Sequence, residues 1–273
     1  MTPKQELEYL KGYIKLSERE AVKRDLLEGF LENRDKVLLL DADSLLYNVV
    51  NFNIGTEHEE DLAKQYEDYH SQVQSICNAI ELEGFNIHHV EHCFTTCSNN
   101  FRNEIYPDYK GNRPNDKTRH LASLLRYYSI RMLESEGIAV QYSDIYEADD
   151  IVAMGAEQLG HDAIIASIDK DLRQIVGCHF NYYKVKTGVD EFGEPVRDFK
   201  GFSYTTPQEG RELLLKQLLE GDTSDNIKGV KGIGKVKAEK ALKGKSEFIQ
   251  LLTVARLYND MERLRTNIKL IKL

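Results

Sequence analysis

Val37-Leu38-Leu39-Leu40-Asp41-Ala42-Asp43 is an unbroken apolar run that stops on acids. A short run without polar alternation reads as a strand buried on both faces, the habit of a parallel sheet covered by helices. Its polar end marks a place for function, because ligands of open α/β sheets bind beyond the carboxyl ends of the strands. Ala163-Ile164-Ile165-Ala166-Ser167-Ile168 repeats the pattern and ends on Asp169-Lys170-Asp171. Between these runs, apolar spacing predicts helices over 59–83, 121–136 and 147–160 and short strands at 88–94, 138–141 and 182–187. Strand and helix in alternation predict an α/β fold with a mostly parallel central sheet flanked by helices.

Two segments flank this core, taken as 37–205. Residues 4–32 place Leu7, Leu10, Ile14, Val22, Leu26 and Phe30 among many charges, which predicts an interrupted helical extension over 1–36. Thr206-Pro207-Gln208-Glu209 combines a capping box with proline at the first helical position. Helical patterning from there, and from about Val236 onward, predicts a small helical lobe over 206–273.

With 273 residues the chain can bury a sizeable core without disulfides. Its four cysteines are irregularly spaced and read as reduced thiols. No run approaches the ~20 apolar residues of a membrane span, and the amino terminus is polar. The chain is therefore expected to be a cytoplasmic monomer without a membrane partner. A net charge of −9 argues against a phosphate-rich partner unless the basic residues cluster. They do: Lys228 to Lys245 holds seven lysines and a single acid, Glu239. A second basic stretch, from Asn99 to Arg119, carries Arg102, Lys110, Arg113, Lys117 and Arg119 around Pro107, Gly111 and Pro114 and reads as a loop.

Acids recur at the edges of predicted elements: Asp41; Glu147, Asp149 and Asp150; Asp169 and Asp171; Asp222 and Asp225. A parallel sheet brings the ends of its strands to one crevice, uniting Asp41 with the Asp169/Asp171 pair and the start of the Glu147 helix. Carboxylates that close raise one another's pKa unless cations neutralise them, so the cluster implies divalent metal. Oxygen-only ligands favour Mg²⁺, with Mn²⁺ as a substitute. Two metals about 4 Å apart can supply a hydroxide and steady both oxygens of an in-line displacement at phosphorus. The plainer alternative is that acids at helix starts complement helix dipoles.

Gly229-Val230-Lys231-Gly232-Ile233-Gly234-Lys235-Val236-Lys237 places glycines where backbone amides can approach phosphate, ahead of a helix with a positive N-terminus. It is a helix–hairpin–helix type of turn, or else a plain interhelical connection. Its lysines favour backbone contact, and recognition by shape rather than by base sequence is expected.

Asp41, the run Phe101 to Arg113, Glu147-Ala148-Asp149-Asp150, Asp169-Lys170-Asp171 and Gly221-Asp222-Thr223-Ser224-Asp225-Asn226 stand in the order found in the 5′ nucleases. Over about residues 35 to 245 the chain resembles that family, which includes bacteriophage flap endonucleases and the 5′-nuclease domain of bacterial DNA polymerase I. The resemblance implies a PIN-like core in which Asp41, Glu147, Asp149, Asp150, Asp169 and Asp171 bind or organise the metals, with Asp222 and Asp225 supporting a second site. It implies that Lys110 and Arg113 contact the scissile phosphate and that the turn from Gly229 to Lys237 holds duplex DNA; Arg102, in the basic loop, is also expected to meet DNA. K⁺ bound by carbonyls of that turn also follows from the resemblance. Tyr109 can stack on a displaced base or pack in the core.

Two departures from the family stand out. The stretch from Pro114 to His120 is short for a threading arch. The strand before Phe101 lacks the family's aspartate, leaving Glu91 as the acid available there. His92, Cys93 and Cys97 in that stretch are zinc-ligand types without a second cluster. The expected activity is cutting of 5′ flaps, duplex ends or RNA primers, in replication or repair, by a free-standing nuclease of a bacterial or phage-infected cell. The contrasting readings are a junction-binding protein with an impaired site and a metal-dependent phosphatase.

Overall fold

The computed structural model describes residues 20–50, 58–114, 117–184, 186–189, 195–198, 201–242 and 248–273. The expected helix over 4–19 lies outside them, as do Lys243 and Lys245. A helix, α1 (Glu20–Glu32), precedes the first strand, β1 (Asp35–Asp41). Leu27, Phe30 and Leu31 of α1 are buried in the same apolar cluster as Leu38 and Leu40.

β1 forms the middle of a six-stranded sheet, and its composition explains why. Leu38 and Leu40 enter one cluster, with Tyr69, Phe94 and Leu125, whereas Val37 and Leu39 enter another on the opposite face, with Ala148, Val152 and Ala156. Successive strand residues point to opposite faces, so only a run apolar at every position can fill both. Each such leucine stabilises the fold by roughly 1.5–3 kcal/mol through burial.

α2 (Ala42–Val49) and α3 (Glu59–Glu81) lead to β2 (Asn86–Thr95), and α4 (Phe101–Ile105) and α5 (Lys117–Ser135) to β3 (Val140–Ser143). α6 (Ala148–Leu159) leads to β4 (Ala163–Ala166) and β5 (Gly177–Phe180). A two-stranded pair, β6 (Lys186–Val189) and β7 (Pro195–Asp198), comes before β8 (Phe202–Thr205). The sheet order is β3-β2-β1-β4-β5-β8. β1 pairs in parallel with β2 and β4, and only β8 runs antiparallel to its neighbour β5. The mostly parallel sheet is as expected.

One strand expectation is corrected in part. Of the segment 182–187, Tyr182–Lys184 is a 3₁₀ turn and Lys186 and Thr187 begin β6, while the main-sheet strands Gly177–Phe180 and Phe202–Thr205 were not expected. Each is only four residues long, too short for a periodic signal to separate strand from loop.

α7 (Pro207–Glu220) starts with the expected capping box: Thr206 accepts from the Glu209 amide and Glu209 from the Thr206 amide. A small hairpin of β9 (Gly221–Asp222) and β10 (Ile227–Lys228) follows, then α8 (Lys235–Leu242), α9 (Phe248–Leu257) and α10 (Met261–Ile271). These helices share their own core of Leu215, Leu218, Leu219, Val230, Leu251 and Leu264. Gly221, at φ 76, and Gly229 let two backbones cross: a Cβ on Gly229 would lie 2.2 Å from the Glu220 carbonyl. Gly229 therefore serves a close backbone approach within the lobe. Among the described residues no helix is long and apolar enough to cross a membrane.

Candidate active site

Asp41 closes β1 at the point where the chain order reverses between β2 and β4, the crevice that the parallel topology opens. It is buried, and its carboxylate accepts from Ser44 Oγ at 2.5 Å and Ser167 Oγ at 2.7 Å. Burial pushes its pKa up to about 6 against the pull of these serines. Ser167 Oγ also accepts from the Asp169 amide at 2.9 Å, which ties the end of β4 to the end of β1.

Glu147 caps α6, so Asp149 and Asp150 fall in its first turn, beside the helix N-terminus. Glu147, Asp149 and Asp150 each offer an oxygen within 4.8 Å of the others. Burial, then Glu147 and Asp150, push Asp149 up to about 8. Burial works in the same direction on Glu147, but Lys110 and the Tyr109 hydroxyl hold it below the usual range. Lys110 Nζ lies 2.5 Å from Glu147 Oε1, and the Tyr109 hydroxyl donates to Glu147 Oε2 at 2.6 Å.

Asp41, Glu147, Asp149 and Asp169 line one crevice with Lys110 and Arg113. Asp149 also lines an adjoining recess with Asp171, Asp222 and Asp225. Burial, then Asp169 and Asp222, raise Asp171 to about 7. Burial pushes Asp222 upward too, but Ser224, whose amide and hydroxyl both donate to it, holds that acid below the usual range. Seven of the eight acids read from sequence, all but Asp150, thus line two recesses that share Asp149. An oxygen-only donor set, with three members left uncharged more readily than in water, fits divalent cations.

The loop of Lys110 and Arg113 is clasped to the loop after β9. The Lys110 amide donates to the Asp225 carbonyl at 2.9 Å, Arg113 Nη2 to Asp225 Oδ1 at 2.5 Å, and Asn226 Nδ2 to the Asp108 carbonyl at 2.8 Å. Lys110 and Asn226 take left-handed φ values of 55° and 59°, uncommon for residues other than glycine. Such strain persists only where surrounding contacts fix it, here the hydrogen bonds that join the two loops.

The structure corrects several roles expected from sequence. Arg102 is 1% exposed, its guanidinium held by Asp150, so it offers nothing to DNA. Asp150 has both oxygens occupied by Arg102 and the Glu147 amide. Tyr109 is 6% exposed and bonded to Glu147 and Asp225, which leaves it packed and without a free face for a base. Glu91 does not replace the missing aspartate: it pairs with His89 and Gln141, two residues below Cys93, the partner of Asp41 in the sheet. The residue of β2 that reaches the crevice is Thr95, a hydroxyl. His92 bonds the Tyr69 hydroxyl and faces away from Cys93 along the strand, so the zinc types do not converge.

Sequence reading also passed over Asp43 and Arg126. Asp43 accepts from the Thr95 amide at 3.1 Å and from Arg126 Nε at 2.6 Å, tying α2, β2 and α5 together beside Asp41. Asp43 stood two residues after Asp41 in the deciding run, but its partner lies 83 positions away.

In the turn, Lys231, Gly232, Gly234, Lys235 and Lys237 are exposed, and Gly232 takes φ 80. Lys237 Nζ donates to the Gly232 carbonyl at 2.8 Å, so one carbonyl of the expected K⁺ cradle already faces an ammonium.

The family described as "5′-3′ exonuclease, N-terminal resolvase-like domain" matches residues 36–198. A 5′-3′ exonuclease of Buchnera aphidicola is 28% identical over 240 residues, covering 84% of this chain and 75% of that protein. DNA polymerase I of Lactococcus lactis is 30% identical over 256 residues, which is 87% of this chain but 26% of the polymerase. The chain thus spans about a quarter of that relative. The fold matches bacteriophage T5 5′-exonuclease with bound zinc, at 17% identity and a TM-score of 0.62 over 87% of this chain and 89% of the other. It also matches a T5 flap endonuclease complexed with DNA and metal ions, at 16% identity and a TM-score of 0.62, over 87% and 88% of the two chains. With most of its α/β core matched by the family description, this chain belongs to the 5′-3′ exonuclease family.

Proposed function

We propose that the chain is a structure-specific 5′ nuclease that hydrolyses phosphodiester bonds of DNA flaps, duplex ends or RNA primers, with Mg²⁺, or Mn²⁺ in its place. The observation that carries this reading is the pair of acidic recesses sharing Asp149, edged by Lys110 and Arg113. Asp41, Glu147, Asp149 and Asp169 would hold one cation, and Asp149, Asp171, Asp222 and Asp225 a second. Bound there, the metals would supply a hydroxide and neutralise charge at phosphorus. Lys110 and Arg113, paired here with Glu147 and Asp225, would turn to an incoming phosphate and steady its developing charge. The same retained set weighs against a junction-binding protein with an impaired site. The lobe's lysines have no use in a small-molecule phosphatase.

The exposed turn supports binding of the DNA backbone. Lys235→Ala with Lys237→Ala is expected to weaken duplex binding and lower the slope of log K against log salt by about 2, one for each phosphate no longer neutralised. Equilibrium titration at several salt concentrations reads this, and an unaltered slope removes the turn from the binding face.

The direct test of function is cleavage of a 5′-labelled flap with Mg²⁺, Mn²⁺ or EDTA, with the flap end free or blocked. Metal-dependent cutting near the junction is expected. Segment 114–120 lies partly outside the described residues, and the blocked flap reports whether a free end must thread there. Tight binding without cutting in either metal would make the junction-binding reading the better one.

A further inference from the structure

The last turn of α10 is tied to both acidic recesses. Arg102 Nε donates to the Leu270 carbonyl at 2.8 Å, while Nη1 and Nη2 grip Asp150 at 2.5 and 2.6 Å. Asp150 in turn accepts from the Glu147 amide at 3.1 Å. On the other side, Gln174 Nε2 donates to the Ile271 carbonyl at 3.1 Å and to Gln217 Oε1 at 2.8 Å. Gln217 Nε2 then donates to Asp171 Oδ1 at 2.6 Å.

The final carbonyls of a helix lack intrahelical partners and accept whatever donor is offered. Here two successive carbonyls each start a hydrogen-bonded chain that ends at the metal-binding acids, one on each side. Capping alone needs neither chain to continue. A buried arginine–carboxylate pair adds little stability over apolar packing of the same shape, which leaves geometry as the use of the Arg102–Asp150 pair.

We propose that the last turn of α10 positions the acidic site from both sides, through Arg102 and Asp150 onto Glu147 and through Gln174 and Gln217 onto Asp171. Arg102, Gln174 and Gln217 are positioning residues, and Asp150 is a strut between Arg102 and Glu147 rather than a metal ligand. This inference rests on the divalent-metal reading above.

The test is calorimetric titration of the full chain with Mn²⁺ in the wild type, Arg102→Lys, Gln174→Met and the double variant. Lysine keeps the charge of Arg102 but loses its two-pronged grip, and methionine keeps the length of Gln174 but loses its hydrogen bonds. Each single variant is expected to need about tenfold more Mn²⁺ for half-saturation, as loss of a group that orients metal ligands does. The double variant should fall short of the product, because both act through one helical turn. Should Arg102→Lys fail to fold, Gln174→Met decides alone. Wild-type half-saturation in the folded variants, however far their Tm falls, would overturn the proposal and leave a packing contact. No Mn²⁺ binding by the wild type would instead overturn the metal reading, and this inference with it.

Discussion

Asp149→Asn combined with Asp171→Asn is expected to reduce flap cleavage in Mg²⁺ by at least about 10³-fold, the scale on which loss of one charge-stabilising group at a reacting centre is felt. Asp149 lines both recesses and Asp171 the inner one, so the pair removes a carboxylate from each. Asparagine keeps the shape, and the Asp150 amide can still bond the remaining carbonyl oxygen at position 149. The fold should therefore persist. Affinity for the same flap in EDTA at pH 8.5 should hold or rise, since the negative charges that Asp149 and Asp171 carry above their raised pKa values, and that repel phosphate, are gone. Cleavage within tenfold of the wild type, measured in single-turnover reactions, would remove these acids from the metal set.

The second large effect concerns stability and pH without metal. Burial, and then neighbouring carboxylates, raise Asp41 to about 6, Asp171 to about 7 and Asp149 to about 8, all from 3.8. Between pH 4 and 8 these three acids hold protons that the unfolded chain has lost, which lowers stability as pH rises; buried His92 and His179, held near 4 and 3, act the opposite way up to about pH 6.5, so the fall is read above that. Even a net rise of about two pH units shared by the three acids corresponds to about 2.7 kcal/mol, or about 5–10 °C in Tm. Metal binds the deprotonated acids of the folded state and should return this stability, most strongly near pH 8. Scans in EDTA should show Tm falling from pH 7 to 8.5, with the gain from Mg²⁺ or Mn²⁺ growing over the same range. A metal-free Tm that holds steady or climbs there would mean that the acids are not held together without their cations.

Much of this protein was legible along the chain. Apolar residues at every position of Val37–Leu40 and Ala163–Ala166 can be satisfied only between two covering layers, and so they fixed a parallel sheet and the end at which its acids meet. The capping box at Thr206 set the start of the lobe in the same local way, through side chains three residues apart. Four-residue strands at Gly177 and Phe202 were not legible, because their state depends on the neighbour that pairs with them.

The sequence by itself determined the chemical inventory: eight carboxylates at element edges, two basic segments and a glycine turn, since residue type and local periodicity are properties of the chain. Only the tertiary structure decided their use. Arg102 was read as a basic-loop residue for DNA, yet it is buried against Asp150 and α10, 48 and 168 positions away. Tyr109 became a strut for Glu147 and Asp225, and Asp43 found its counter-charge in Arg126. Exposure and partnership arise from contacts between distant segments, and no local pattern records which charge will be left facing water.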